Sequence, residues 1–141
     1  MARWRPRFQV ADIAQQVVGG FLLAGPFVVT EEVWTLATNM GPLNTVFTVA
    51  IVLTIGYGAL YKADDDRDPE REHAVVGVPV RFISLMGVAF GSVVILAMVF
   101  DAPETFLGTI APEERLLTTL RAISVGAVFS VVGAATADSV F

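Results

Sequence analysis

The sequence contains no cysteine, which excludes disulfides, thiolate metal sites and iron–sulfur clusters. Bases are scarce: one Lys, Lys62, and eight Arg stand against 14 Asp and Glu, so the formal net charge is −5. Because no basic patch is present to displace phosphate counterions, we predict no binding to nucleic acid. No Ser-His-Asp, HExxH or Walker pattern occurs in the chain, and we expect neither an enzyme nor a cofactor. The identity of any bound metal ion stays unknown at this level.

Long apolar runs fill most of the chain, with 55% hydrophobic residues and a mean hydropathy of +0.68. Ordinary soluble domains are rarely so apolar, and runs of about 20 such residues are typical of membrane spans. The runs and the turn signals between them predict four transmembrane helices, at about 12–38, 43–62, 79–100 and 115–137. We therefore predict an all-α polytopic membrane protein in which residues 1–141 form a single domain.

The distribution of Lys and Arg predicts that the N-terminus and the C-terminus are both cytoplasmic. Three Arg precede the first span and four bases lie within 62–81, whereas the 39–44 turn and the 101–114 loop have none. Segments rich in Lys and Arg stay on the cytoplasmic side. The chain is thus expected to be a multi-pass protein of the cell (plasma) membrane, with a cytoplasmic loop at 63–78.

The first predicted span contains two adjacent carboxylates, Glu31 and Glu32. A charge inside a bilayer costs on the order of 3 kcal/mol or more unless it is paired, protonated or faces a cavity. Arg121 of the fourth span has nearly the same predicted depth, so we expect Glu31 to be buried in an ion pair with it. Either this pair only fixes helix packing, or the surplus carboxylate binds a cation or a proton. Thr30 and Thr35 flank the acids and join them as candidates for an ion site or pore lining.

A second charged group lies near the predicted cytoplasmic boundary and consists of Asp12, Arg81 and Asp138. These side chains either form a charged cluster or extend separately to water, and extension to water is the commoner arrangement. Both interpretations stay open at the level of the sequence.

Small residues repeated every four positions predict close contacts between helices, because they let helix backbones approach. The predicted packing residues are Gly87 and Gly91 of the third span and Ala122, Gly126, Ser130 and Ala134 of the fourth.

The runs GGFLLAGPFVVTEEVW at 19–34 and RAISVGAVFSVVGAATADSVF at 121–141 resemble a family of small four-span integral membrane proteins from halophilic archaea and some bacteria. The acidic, lysine-poor polar segments are also similar in composition to those of proteins from salt-loving archaea. The resemblance implies a fold that covers the whole chain and implies no particular activity.

The leading functional hypothesis is a homo-oligomeric cation channel or transporter with an intramembrane acidic site. Four spans are few for an ion path within one subunit, so several copies related by symmetry would surround the path. The alternative is a structural or accessory subunit whose charges only fix helix packing. The expected partners are the lipid bilayer, further copies of the chain and a monovalent or divalent cation.

Overall fold

The computed structural model describes residues 9–62, 74–75 and 77–140, and most of the predicted loop at 63–78 lies outside them. The helices are α1 (Val10–Val28), α2 (Glu31–Asn39), α3 (Pro42–Tyr57), α4 (Val80–Val99), α5 (Ala102–Leu107) and α6 (Pro112–Val140). A π-helical turn, Gly58–Lys62, continues α3, and two-residue strands β1 (Ala74–Val75) and β2 (Val78–Pro79) pair antiparallel before α4. Helices α1, α4 and α6, and α3 together with its π-helical continuation (Pro42–Tyr61), are long and apolar enough to cross a membrane, which confirms the predicted all-α polytopic fold.

The segment predicted as one span at 12–38 consists of two helices. Helix α1 ends at Val28, and Thr30 has an extended backbone (φ −99°, ψ 137°) as the N-cap of α2. Pro26 has no backbone N–H, so it weakens the helical hydrogen bonding just before the break. The two glutamates that follow the N-cap are favoured there because acids interact well with the positive end of a helix dipole. The continuous apolar character of the segment obscured this helix start.

The break between α1 and α2 is closed by side chains that satisfy the carbonyl groups at the end of α1. The indole Nε1 of Trp34 donates to the carbonyl oxygen of Val28 at 2.9 Å, and the hydroxyl of Thr30 donates to the carbonyl oxygen of Phe27 at 2.9 Å. Trp34 is buried and stacks on Phe106 of α5, with 5.8 Å between ring centroids. Side chains from within the chain thereby satisfy two of the last carbonyl groups of α1.

Helix α6 is the central element of the bundle. It packs against α1, α3, α4 and α2, and 56% of the residues in its span are buried, against 17% in α3. Two apolar clusters, one toward each end of the bundle, are built around it. Helix α3 consequently exposes most of its apolar side chains to the lipid.

The closest approach in the bundle is the crossing of α1 and α6 at Gly19 and Gly133. A Cβ atom added to either glycine would collide with the backbone carbonyl oxygen of the other. Next to this point, a Cβ atom on Gly20 would lie 3.1 Å from the hydroxyl oxygen of Ser130. Only glycine therefore allows the two backbones to approach so closely.

The small residues predicted for packing are buried on α6, whereas those on α4 contact no neighbouring helix in the described part of the chain. The four on α6 are buried, namely Ala122, Gly126, Ser130 and Ala134. Gly87 and Gly91 of α4 differ from the prediction, because a Cβ atom added to either would meet nothing within 4 Å. Helix α4 instead packs inward through a face that includes Ala89 and Ser92. Its glycine repeat is therefore not a packing surface within this chain.

Gly126→Leu is expected to lower the free energy of unfolding by about 1–3 kcal/mol, as overpacking of a filled interior usually does. A Cβ atom at this position would lie 2.9 Å from Cγ1 of Val93 on α4. Unfolding in mixed detergent micelles measures the effect, with Val132→Leu as the control because Val132 is 40% exposed on the same helix. A larger loss in Val132→Leu than in Gly126→Leu would contradict this packing.

Candidate functional site

Three ionisable side chains meet where the first turns of α1 and α4 adjoin the end of α6. Nη1 of Arg81 lies 2.7 Å from Oδ1 of Asp138, and Nη2 lies 3.4 Å from Oδ2 of Asp12. The side chains of Arg81, Asp12 and Asp138 are 2%, 5% and 0% exposed, respectively. The three side chains therefore contact one another and do not extend separately to water. We call these three residues the charged cluster.

Two uncharged side chains extend the charged cluster further into the bundle. The amide Nε2 of Gln16 donates to Oδ2 of Asp138 at 3.1 Å, and the hydroxyl of Ser84 donates to Oε1 of Gln16 at 2.7 Å. The sequence analysis missed both residues. Their spacing was the available signal, because Gln16 follows Asp12 by four residues and Ser84 follows Arg81 by three, which places each pair on one helix face.

The same three helices share a second set of polar contacts closer to the middle of the bundle. The hydroxyl oxygens of Ser92 and Ser130 lie 2.7 Å apart, and Ser130 also donates to the carbonyl oxygen of Gly20 at 3.2 Å. Ser130 precedes Asp138 by eight residues, or about 12 Å along α6. Buried polar atoms therefore occur at two levels between α1, α4 and α6.

Glu31 and Glu32 lie on the surface of the chain. Both side chains are exposed in the first turn of α2, where they line an open groove of about 400 Å³ with Thr35 and Leu36. The expected burial of Glu31 and its ion pair with Arg121 are not present in the described part of the chain. The reason is the break before α2, which ends the straight first span on which the predicted depth depended.

Arg121 has a different partner from the one predicted. Its Nη1 donates to the carbonyl oxygen of Met40, between α2 and α3, at 2.6 Å. The other arginine at this end of the bundle, Arg115, pairs with Glu104 at 2.9 Å. Arg121 has no carboxylate partner among the residues that the structure describes, and its buried Nε atom has no hydrogen-bond partner there.

Three span-capable helices pack around a fourth, α6, in the described part of the chain. The comparison with known families gives the class of this architecture. Residues 4–140 match the DUF2391 family of integral membrane proteins. The chain belongs to this family. The match confirms the resemblance carried by the segments 19–34 and 121–141. The chain matches none of the curated proteins and none of the solved structures with which it was compared.

As a DUF2391 member, the chain is an integral, multi-pass membrane protein whose outer helix faces contact lipid. Within 9–62, 74–75 and 77–140, no three His, Cys, Asp or Glu side chains come together as a metal centre would require. What the charged cluster offers is carboxylate oxygens that accept a proton or coordinate a cation, beside a guanidinium that competes for them.

Proposed function

We propose that this DUF2391 protein is a homo-oligomeric cation channel or transporter of the plasma membrane, with the charged cluster as its acidic site. The observation that carries the proposal is the burial of Asp12, Arg81 and Asp138 in contact with one another between three spans. The acidic site thus differs from the one expected at Glu31, which lies on the surface.

Ionisable side chains in membrane spans are rare because removing a charge from water is costly. Where they occur, they face the interior of a bundle and are typical of ion pathways and proton relays. The charged cluster has this placement, since its three side chains point between α1, α4 and α6. Two carboxylates in one buried site favour a cation or a proton as the bound species.

Further oxygen atoms lie along the same three helices. The carboxamide of Gln16 and the hydroxyl of Ser84 follow the charged cluster, and the Ser92 and Ser130 hydroxyls with the Gly20 carbonyl lie nearer the bundle centre. Hydroxyl and carbonyl oxygens at successive depths are groups that bind partly dehydrated cations in channels. Under this proposal the ion route begins at the charged cluster and follows these oxygens. It requires α1 and α6 to separate during transport, because the structure leaves no room for a methyl group between Gly19 and Gly133.

Assembly from several copies is the other part of the proposal. The described grooves are open ones on the surface of a single chain, including the one beside Glu31 and Glu32. Surface carboxylates near the end of a bundle suit the mouth of a symmetric pore, because rings of Asp or Glu select cations. Thr30 and Thr35 lie in the same region and remain candidates for that mouth.

Asp138→Asn is expected to abolish cation flux, because it removes the charge of the most buried carboxylate while keeping its shape. The measurement is uptake of a monovalent or divalent cation, or of protons, by liposomes that contain the purified protein. Glu104→Gln is the matched control, since its side chain is 62% exposed and lies outside the charged cluster. Flux in the control should equal that of the wild type.

Unchanged flux in Asp138→Asn, in preparations where the wild type conducts, would exclude the charged cluster as the ion site. If Glu31→Gln abolished flux in the same preparations, the acidic site would instead lie at the surface of α2.

A structural or accessory subunit is the second candidate function. It is favoured by the contact of Arg81 with both carboxylates, which balances charge inside the bundle without any bound ion. Liposomes that contain folded wild-type protein and show no cation flux under any gradient would favour this function.

A further inference from the structure

Arg121 combines a positive charge with a position inside a membrane span. It is half-buried and its Nη1 donates to the Met40 carbonyl oxygen. Its buried Nε atom has no partner within residues 9–62, 74–75 and 77–140. A charged side chain within a span is stabilised either by an anionic partner or by reaching the headgroup level, and Arg121 has no acidic partner in the described chain. The remaining guanidinium donors are therefore available to a ligand.

The depth of Arg121 identifies which anions can reach it. Arg121 precedes Asp138 by 17 residues, or about 25 Å along α6. The hydrocarbon core of a bilayer is about 30 Å thick, and the charged cluster lies at one edge of the spanning region. Arg121 consequently lies close to the opposite edge, within reach of the phosphate groups of the lipids there.

An apolar groove of about 520 Å³ adjoins the guanidinium between α3 and α6. Its walls are formed by Pro42, Thr45, Val46, Val49, Leu117 and Arg121. Val46 and Leu117 are 63% and 49% exposed, so the groove is open on the side that faces the bilayer. A cation at one end of an apolar groove is complementary to a molecule with an anionic head and a hydrocarbon tail.

We propose that the groove between α3 and α6 is a binding site for an anionic phospholipid. The lipid phosphate accepts hydrogen bonds from the Arg121 guanidinium, and one acyl chain lies along Val46 and Val49. Guanidinium–phosphate contacts are charge-assisted and strong. The Nε atom of Arg115 is also unpaired in the described chain, but the Glu104 carboxylate neutralises the charge of Arg115 at 2.9 Å, whereas Arg121 has no such carboxylate there. The apolar lining favours a lipid over free phosphate.

The site is tested by native mass spectrometry of the full chain in detergent, titrated with phosphatidylglycerol. The wild type should bind one lipid per subunit with a Kd about tenfold lower than that of Arg121→Gln, which is the loss expected for a charge-assisted hydrogen bond. Arg115→Gln is the matched control and should bind like the wild type. Phosphatidylcholine, whose headgroup has no net charge, should bind more weakly, and inorganic phosphate should not displace the lipid.

A second variant keeps the test independent of the structural bond to Met40. Val49→Phe fills the groove while leaving Arg121 in place, so it should also weaken phosphatidylglycerol binding about tenfold, as crowding of an acyl chain would. Equal affinity of the wild type, Arg121→Gln and Val49→Phe would show that no lipid site exists in the groove. Equal binding of phosphatidylcholine and phosphatidylglycerol would show that the headgroup charge is not recognised, and displacement by inorganic phosphate would assign the site to a free anion.

Discussion

Gly133→Ala is expected to lower the free energy of unfolding by about 3 kcal/mol, the upper part of the range usual for overpacking. The added methyl group would collide with the backbone carbonyl oxygen of Gly19, which cannot move aside as a flexible side chain can. Relief of the collision requires α1 and α6 to separate, and that loosens the most extensive helix pair of the bundle. Denaturation of the purified protein in mixed detergent micelles measures the loss.

Gly87→Ala is the matched control for this substitution. It makes the same chemical change in another transmembrane helix, at a position where an added Cβ atom meets nothing within 4 Å. Its free energy of unfolding should stay within about 1 kcal/mol of the wild type, the size of the glycine-to-alanine helix propensity difference. Comparable losses in both variants would mean that backbone contact does not determine the stability of the α1–α6 pair.

The overall architecture was predictable because it depends on properties that extend over many residues. Runs of about 20 apolar residues define the span-capable helices whatever their neighbours are. The break at Thr30 is marked only by one threonine at the N-cap position, whose hydroxyl bonds back to Phe27, and by the two acids that follow it, inside a segment that is otherwise apolar. Average hydropathy does not detect such a signal, whereas capping chemistry does. The Thr-Glu-Glu sequence at 30–32, taken as the start of a new helix, would have predicted the separation of α1 from α2.

Charge partners were harder to predict than helices. The expected pair of Glu31 and Arg121 rested on equal depth in two straight spans. The depth of Glu31 cannot be calculated from the rise per residue of α1, because the helix breaks before Glu31. The charged cluster required a different kind of information, namely that Arg81 and Asp138, 57 residues apart, converge on α1. Sequence position shows that both residues lie near one side of the membrane. Only the packing of α1, α4 and α6 shows that they touch.

Helix faces were also only partly predictable. The repeat that includes Gly126 lies on the buried side of α6, whereas the repeat of Gly87 and Gly91 lies on a face of α4 where an added side chain meets nothing. The spacing is identical in the two helices, so spacing alone cannot distinguish a face that packs within the chain from one that faces lipid. The polar residues Arg81 and Ser92 mark the inward side of α4, because charge and hydroxyl groups avoid lipid.

Arg81→Met is expected to lower the free energy of unfolding by about 3–5 kcal/mol, which is typical of removing one partner of a buried ion pair. The change would leave the carboxylates of Asp12 and Asp138 buried without the guanidinium that contacts both. Glu104→Gln is the control, because Glu104 is 62% exposed in its ion pair with Arg115 and such pairs contribute about 1 kcal/mol or less. A loss as small in Arg81→Met as in the control would show that the charged cluster is accessible to water.

Neutralising the whole charged cluster is expected to restore most of the stability lost in Arg81→Met. Adding Asp12→Asn and Asp138→Asn removes the uncompensated charges, and buried ionic groups replaced together by uncharged ones are often tolerated. This triple variant also separates the two proposed functions, since its fold is kept while its acidic site is lost. Recovered stability without cation flux, beside a wild type that conducts, would assign ion transport to the charged cluster. Recovered stability with flux equal to that of the wild type would mean that Asp12, Arg81 and Asp138 only hold α1, α4 and α6 together.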